Sequence, residues 1–241
     1  MEEQDLRKNK VIKKILTIIA LTFSVIALVG CSTKEDNKTT KNEDAVIKED
    51  TSIPELVSIP QTNVVASTEK LPIATIKVKD YGSMELELYP SIAQNTVNNF
   101  ISLANKGYYN GITFHRIVNK FMIQGGDPKG DGSGGPGYSI KGEFAANKIE
   151  NKLLHKVGVI SMARTAEVNS AGSQFFIMTS DADYLDGNYA GFGRIIKGLD
   201  VLTKLSEVKT AENDKPTKDV IIESITIDTK GIEYKEPEKI N

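Results

Sequence analysis

Ala74-Thr75-Ile76-Lys77-Val78-Lys79-Asp80-Tyr81-Gly82-Ser83-Met84-Glu85-Leu86-Glu87-Leu88-Tyr89 is the stretch from which the fold class is read. Ala74, Ile76 and Val78 alternate with Thr75, Lys77 and Lys79; Met84, Leu86 and Leu88 alternate with Glu85, Glu87 and Tyr89. Successive side chains of a strand point to opposite faces, so this period of two sets an apolar face against a core and a polar face outward. Asp80-Tyr81-Gly82 between the runs is turn chemistry, and the whole predicts a β-hairpin.

Downstream, Val97, Phe100, Ile101 and Ala104 have helical spacing, and Gly107 ends that helix. Short apolar runs follow at 113–118, 121–124, 157–162, 174–178 and 190–196. A second helix is expected over 199–207 with Leu199, Leu202 and Leu205 inward, and Ile225 and Ile227 belong to a last strand. Many short strands, two helices and no βαβ rhythm predict an antiparallel β architecture, barrel or sandwich. The pattern alone does not choose between these two.

Upstream, residues 1–14 carry Arg7, Lys8, Lys10, Lys13 and Lys14, and 15–29 are apolar apart from Thr17, Thr22 and Ser24. This is the basic and apolar pattern of an export signal, and its apolar part is short for a spanning helix. It closes in Leu28-Val29-Gly30-Cys31, whose cysteine is the only one in the chain. The segment resembles the lipobox of bacterial lipoproteins, which implies cleavage before Cys31 and lipidation of its thiol. Two acyl chains anchor stably where one does not. Residues 32–52 are nearly all polar and of mixed charge, and such a segment cannot bury enough apolar surface to fold. The expected organisation is a signal peptide at 1–30, lipidated Cys31 and a flexible linker over 31–70, a domain at 71–231, and a charged tail at 232–241.

The 241 residues carry a net charge of −2, and removing residues 1–30, with five basic and three acidic residues, leaves −4. That balance gives no reason to expect a nucleic-acid partner. A single cysteine excludes an internal disulfide framework and any multi-cysteine metal site, and two histidines make a histidine-rich metal centre a poor expectation. There is no phosphate-binding G-x-x-x-x-G-K-[ST] and no G-x-S-x-G nucleophile elbow. Asp127-Pro128-Lys129-Gly130-Asp131-Gly132 has Lys at the third position and Tyr138 where a calcium loop needs its bidentate Glu.

What remains is an arginine among apolar and amide residues: Phe114-His115-Arg116-Ile117-Val118-Asn119-Lys120-Phe121-Met122-Ile123-Gln124-Gly125-Gly126-Asp127. Gly135-Pro136-Gly137-Tyr138, Gly158-Val159-Ile160-Ser161-Met162-Ala163, Gly172-Ser173-Gln174-Phe175-Phe176-Ile177, Leu185-Asp186-Gly187 and Phe192-Gly193 follow in order. Taken singly, such an Arg reads as a solvated surface residue and such a Phe or Met as core. Together, over about residues 72–229, they resemble the cyclophilins, the peptidyl-prolyl cis-trans isomerases.

The resemblance implies a closed eight-stranded antiparallel barrel with a helix over each end. It implies that Arg116 is the catalytic arginine and that Phe121, Met122, Phe176 and Leu185 receive the substrate proline. Gln124 and Gln174 then contact the peptide or orient the arginine, His115 stands beside the site, and Ala163 lines the neighbouring groove. Arg164 stands where many members have Asn, Tyr184 where cyclosporin-sensitive members have Trp, and Tyr189 replaces a rim histidine. Ala163-Arg164-Thr165 with the longer loop to Gly172 resembles the bacterial branch. His155 stands in no motif and is given no role. No metal and no other cofactor is expected. The expected partners are proline-containing peptides and unfolded exported proteins, with the membrane reached through lipidated Cys31 on the extracytoplasmic side and the chain a monomer. A peptide-binding or adhesion module that keeps the groove without useful catalysis is the alternative.

Overall fold

The computed structural model describes residues 70–240; Cys31, the export signal and the linker up to residue 69 lie outside the described residues. Eight strands form one sheet: β1 (Ile73–Val78), β2 (Gly82–Leu88), β3 (Arg116–Val118), β4 (Met122–Gly125), β5 (Val159–Met162), β6 (Phe175–Met178), β7 (Gly191–Lys197) and β8 (Ile222–Asp228). Their spatial order is β3-β4-β6-β5-β7-β2-β1-β8. Every ladder is antiparallel. The hairpin pairs Ile76 with Met84 and Ala74 with Leu86, and all four are buried. Among the described residues two α-helices, α1 (Gln94–Asn105) and α2 (Leu199–Ser206), and three short 3-10 turns complete the regular structure. Gly107, at φ +68°, ends the turn after α1 by donating its N–H to Ala104 O at 2.9 Å.

The sheet is a half-barrel, not the closed barrel that the resemblance implies. The edge strands β3 and β8 share no ladder. The reason lies in the chain entering β3. Thr113 and Ile221 form only an isolated bridge, with Phe114 N–H donating to Val220 O and Ile222 N–H to Ile112 O, both at 2.8 Å. The run expected over 113–118 therefore divides: its first residues tie to the lead-in of β8, and three residues remain as β3. Register shifts at Lys77/Val78, Glu85/Leu86 and Ile160/Ser161 supply curl without closure.

The concave face and α1 enclose the main core. Phe100 of α1 sits at its centre, with ring centroids 5.2 Å from Tyr109, 5.6 Å from Phe175 and 5.3 Å from Phe192. A smaller apolar cluster covers the other face of β4, β5 and β6 and includes Met122, Val159, Phe176, Met178 and Leu185. All four residues of β5 and of β6 are consequently buried, although their side chains alternate between the two clusters.

Beyond β8 the charged segment runs back along α1. The Glu236 carboxylate accepts from Ser102 Oγ and Lys106 Nζ, Asn95 exchanges two hydrogen bonds with the Glu238 backbone, and Ile240 pairs with Ser139. Lys70 and Leu71 line, together with Ile232 and Tyr234, a shallow cleft of about 250 Å³.

Candidate active site

The antiparallel register lays one row of residues across four strands. Arg116 of β3 stands opposite Gln124 of β4, Gln124 opposite Phe176 of β6, and Phe176 opposite Ser161 of β5. Met122, two residues from Gln124, shares its face and stands opposite Met178. Phe121 enters from the tight β3–β4 turn, where Lys120 takes a φ of +56°. The loop after β6 forms a 3-10 turn, Asp183–Leu185, that buries Leu185 and leaves Tyr184 68% exposed. These elements enclose a cavity of about 170 Å³ lined by Arg116, Phe121, Met122, Gln124, Ala163, Arg164, Phe176, Leu185 and Tyr189.

Nine of the twelve domain residues singled out from the sequence thus share one cavity, with a cation and two amide- or guanidinium-bearing neighbours at its edge and an apolar floor. Gln174 lies outside it and lines an adjoining groove of about 520 Å³ with Gln124, Tyr138 and Ala163. Tyr184 stands at the rim, its ring stacked on Phe121 with centroids 6.1 Å apart. His115 is buried behind Arg116, with Nδ1 lacking a hydrogen-bond partner. Burial lowers the His115 pKa below the usual imidazole value and Arg116 lowers it further, while Asp127 and Asp131 oppose the shift.

Gly126 follows β4 at φ +83°, and a Cβ there would lie 2.3 Å from Ser173 O. Only glycine lets the two segments approach so closely, and Ser173 Oγ uses the approach to donate to Gly126 O at 2.7 Å. Gln124 Nε2 donates to Gln174 Oε1 at 2.9 Å, and Gln174 Nε2 donates to the carbonyls of Gly132 and Gly134. Both glutamines are thereby held in the wall between the cavity and the groove. Arg116 is held from the other side: its Nε and Nη2 each donate to Asp214 Oδ2 at 3.2 Å.

A family model, cyclophilin type peptidyl-prolyl cis-trans isomerase/CLD, matches residues 73–227. The chain belongs to this family. The cyclophilin domain is 43% identical over 149 residues to peptidyl-prolyl cis-trans isomerase-like 2 of Rhizopus delemar, covering 61% of this chain and 27% of that protein. It is 47% identical over 135 residues to isomerase-like 1 of the same organism, covering 56% of this chain and 80% of that protein. A Cryptosporidium parvum cyclophilin solved in the presence of the dipeptide Ala-Pro superimposes with a TM-score of 0.59 at 34% identity, covering 65% of this chain and 98% of that one. Against the first of these relatives the chain spans about a quarter of the relative's length.

The cyclophilin domain also holds supports behind and beside the cavity. His155 is fully buried beneath the cavity floor, its ring stacked on Phe176 at 6.0 Å. Its Nδ1 lies 2.9 Å from Asp186 Oδ1 and its Nε2 lies 3.0 Å from Ser161 Oγ. In the neutral ring this makes Nδ1–H the donor to the carboxylate and Nε2 the acceptor from serine. Burial lowers the His155 pKa, against the opposing pull of Asp186. Arg164 is the second support. Its guanidinium lies 5.0 Å from the Phe144 centroid and 4.7 Å from that of Tyr189, and it donates to Asn188 O. It clamps Tyr189 at the rim by cation–π contact. His155 stands in no motif, and Asp186, although it lies within Leu185-Asp186-Gly187, has no role assigned from the sequence; only the fold brings the two together beneath the site. Among the described residues no group of three or more His, Cys, Asp or Glu could hold a metal ion.

Proposed function

We propose that this chain catalyses rotation about X-Pro peptide bonds, with Arg116 as the catalytic residue. The observation that carries the reading is the Arg116 guanidinium at the edge of an apolar cavity floored by Met122, Phe176 and Leu185. Rotation breaks amide resonance against a barrier of ~18–20 kcal/mol. In the twisted transition state the proline nitrogen becomes pyramidal and gains a lone pair. A fixed cationic donor bonds that lone pair and gains little from the planar amide, which is differential binding of the transition state. Arginine suits the task because it stays charged and holds its donors in a rigid plane. The apolar floor grips the ring and excludes water, which strengthens the electrostatic effect. Lowering the barrier by about 7 kcal/mol corresponds to a rate gain on the order of 10⁵. The reaction needs no cofactor.

The proposed substrates are proline-containing segments of unfolded exported proteins. The support is the export-type segment ending in Leu28-Val29-Gly30-Cys31 and the polar linker that follows. On this reading a bacterial-branch cyclophilin is held by lipidated Cys31 on the extracytoplasmic face of the cell membrane and acts as a monomer. Trapped X-Pro isomers there relax in tens to hundreds of seconds unaided.

A protease-coupled assay on an X-Pro peptide with the full chain tests the activity. Arg116→Ala should lose about a hundredfold in kcat/KM, the effect of removing one charged donor in a dry site. Phe121→Ala should instead raise KM. Peptide binding without acceleration by the wild type would favour an adhesion module, and a folded Arg116→Ala protein with wild-type kcat/KM would remove Arg116 from the mechanism.

A further inference from the structure

We infer that Asp214 is a positioning residue for Arg116, taking over the orientation that the resemblance assigns to the amide pair. The inference rests on the proposal that Arg116 is catalytic. Gln124 faces Arg116 across the β3–β4 ladder, yet its amide donates to Gln174, which is itself tied to two loop carbonyls. The contact that fixes the guanidinium comes from the opposite side. Asp214 Oδ2 accepts from Nε and Nη2 of Arg116, both at 3.2 Å.

That grip has a geometric consequence. A guanidinium has five N–H donors in one plane. Asp214 occupies two on one edge, so the plane is set and the remaining donors, Nη1 above all, are left for the cavity that Arg116 lines. The pair is partly exposed, with side-chain accessibilities of 43% and 42%. Coulomb attraction is weak at such a site, and what the carboxylate supplies is orientation.

The loop carrying Asp214 is built to present it. Residues 209–217 close on themselves through Ala211 N–H to Lys215 O at 2.7 Å, Thr217 N–H to Lys209 O at 2.9 Å, and a bridge between Thr210 and Pro216. Pro216 is buried and anchors the loop, while residues 211–213 and 215 are exposed. Asp214 alone in the tip is drawn inward. Asn213 and Asp214 both adopt φ +60°, two successive non-glycine residues in the left-handed region. Asn and Asp are the side chains that tolerate it best, and strain of this kind persists where the surroundings hold it, commonly at functional sites.

The test separates the carboxylate from the backbone. Asp214→Gly removes the side chain and accepts φ +60° without strain; Asp214→Asn keeps an acceptor oxygen at the same place. In the full chain, Asp214→Gly should lower kcat/KM about tenfold, the scale of a modest misplacement of a catalytic group. The loss should fall in kcat, with KM within about twofold, while Asp214→Asn recovers most of it. The Arg116 Nε–H should exchange faster with solvent in Asp214→Gly, as seen by nitrogen-resolved NMR. In the Arg116→Ala background, Asp214→Gly should change nothing further. Wild-type or higher kcat/KM in a folded Asp214→Gly protein, beside an inactive Arg116→Ala protein, overturns the positioning role and leaves the catalytic role of Arg116 standing. Full activity in Arg116→Ala overturns both.

Discussion

Replacing His155 by alanine removes a group that is invisible from the substrate side yet supports it. The side chain is fully buried, so the loss is felt at full strength. Its Nδ1–H bond to Asp186 is a bond to a charged partner, typically ~1.5–3 kcal/mol. Part of this survives, because the His155 backbone N–H still donates to Asp186 Oδ1 at 2.8 Å and the carboxylate reaches water. Ser161 Oγ, fully buried, loses its ring partner, which costs about 1–3 kcal/mol. The void under Phe176 adds roughly another 1–2 kcal/mol. A total of about 3–5 kcal/mol is a large share of a typical ~5–15 kcal/mol stability. For a domain of this size each kcal/mol moves Tm by about 2–4 °C, so His155→Ala should melt roughly 10 °C lower. Circular dichroism melting measures this directly. Below the melting range KM for an X-Pro peptide should rise severalfold, because Phe176 loses the ring that backs it. Adding Ser161→Ala should restore about 1 kcal/mol by removing the orphaned hydroxyl. A His155→Ala protein melting within about 2 °C of wild type would refute the reasoning.

His115 and His155 both have pKa values lowered mainly by burial, so the unfolded chain takes up protons near pH 6.5 before the folded one does. Their contribution is therefore complete above pH 6.5 and is lost as pH falls below it, with a slope approaching roughly 1.4 kcal/mol per pH unit for each ring. Tm should fall between pH 7 and 5.5, less steeply in His115→Gln; a flat profile contradicts the assignment. By the resemblance, Tyr184, exposed and stacked on Phe121, stands where cyclosporin-sensitive cyclophilins have Trp, and its hydroxyl lies at the far end of the ring rather than on the flank where an indole carries its N–H, so wild-type inhibition should be weak and Tyr184→Trp should tighten it roughly tenfold. Nanomolar inhibition of the wild type contradicts this. Cys31→Ser should abolish labelling by a fatty-acid probe, and equal labelling of both proteins removes the lipid anchor.

The hairpin was legible because one of its faces meets the core and the other meets water, so alternation survives in the residue types of Ile76, Lys77, Met84 and Glu85. In β6 both faces are covered, and Phe175-Phe176-Ile177-Met178 reads as an apolar run with no indication that Phe176 turns away from the main core. The missing closure was not legible either, since 113–118 has uniform β character and divides only because Phe114 finds Val220 across the fold. The cavity residues other than Tyr189 lie in recognisable motifs. Asp214, 98 positions from Arg116, lies in a mixed-charge loop where any acidic residue would look the same. Backbone conformation, which composition does not record, is what singles it out.

The shallow cleft shared by Lys70, Leu71, Ile232 and Tyr234 bears on how the lead-in to β1 is held. The entry to the domain sits there on the segment that follows β8, and that segment goes on along α1 to the Ile240–Ser139 pair, so losing it should loosen both ends of the fold at once.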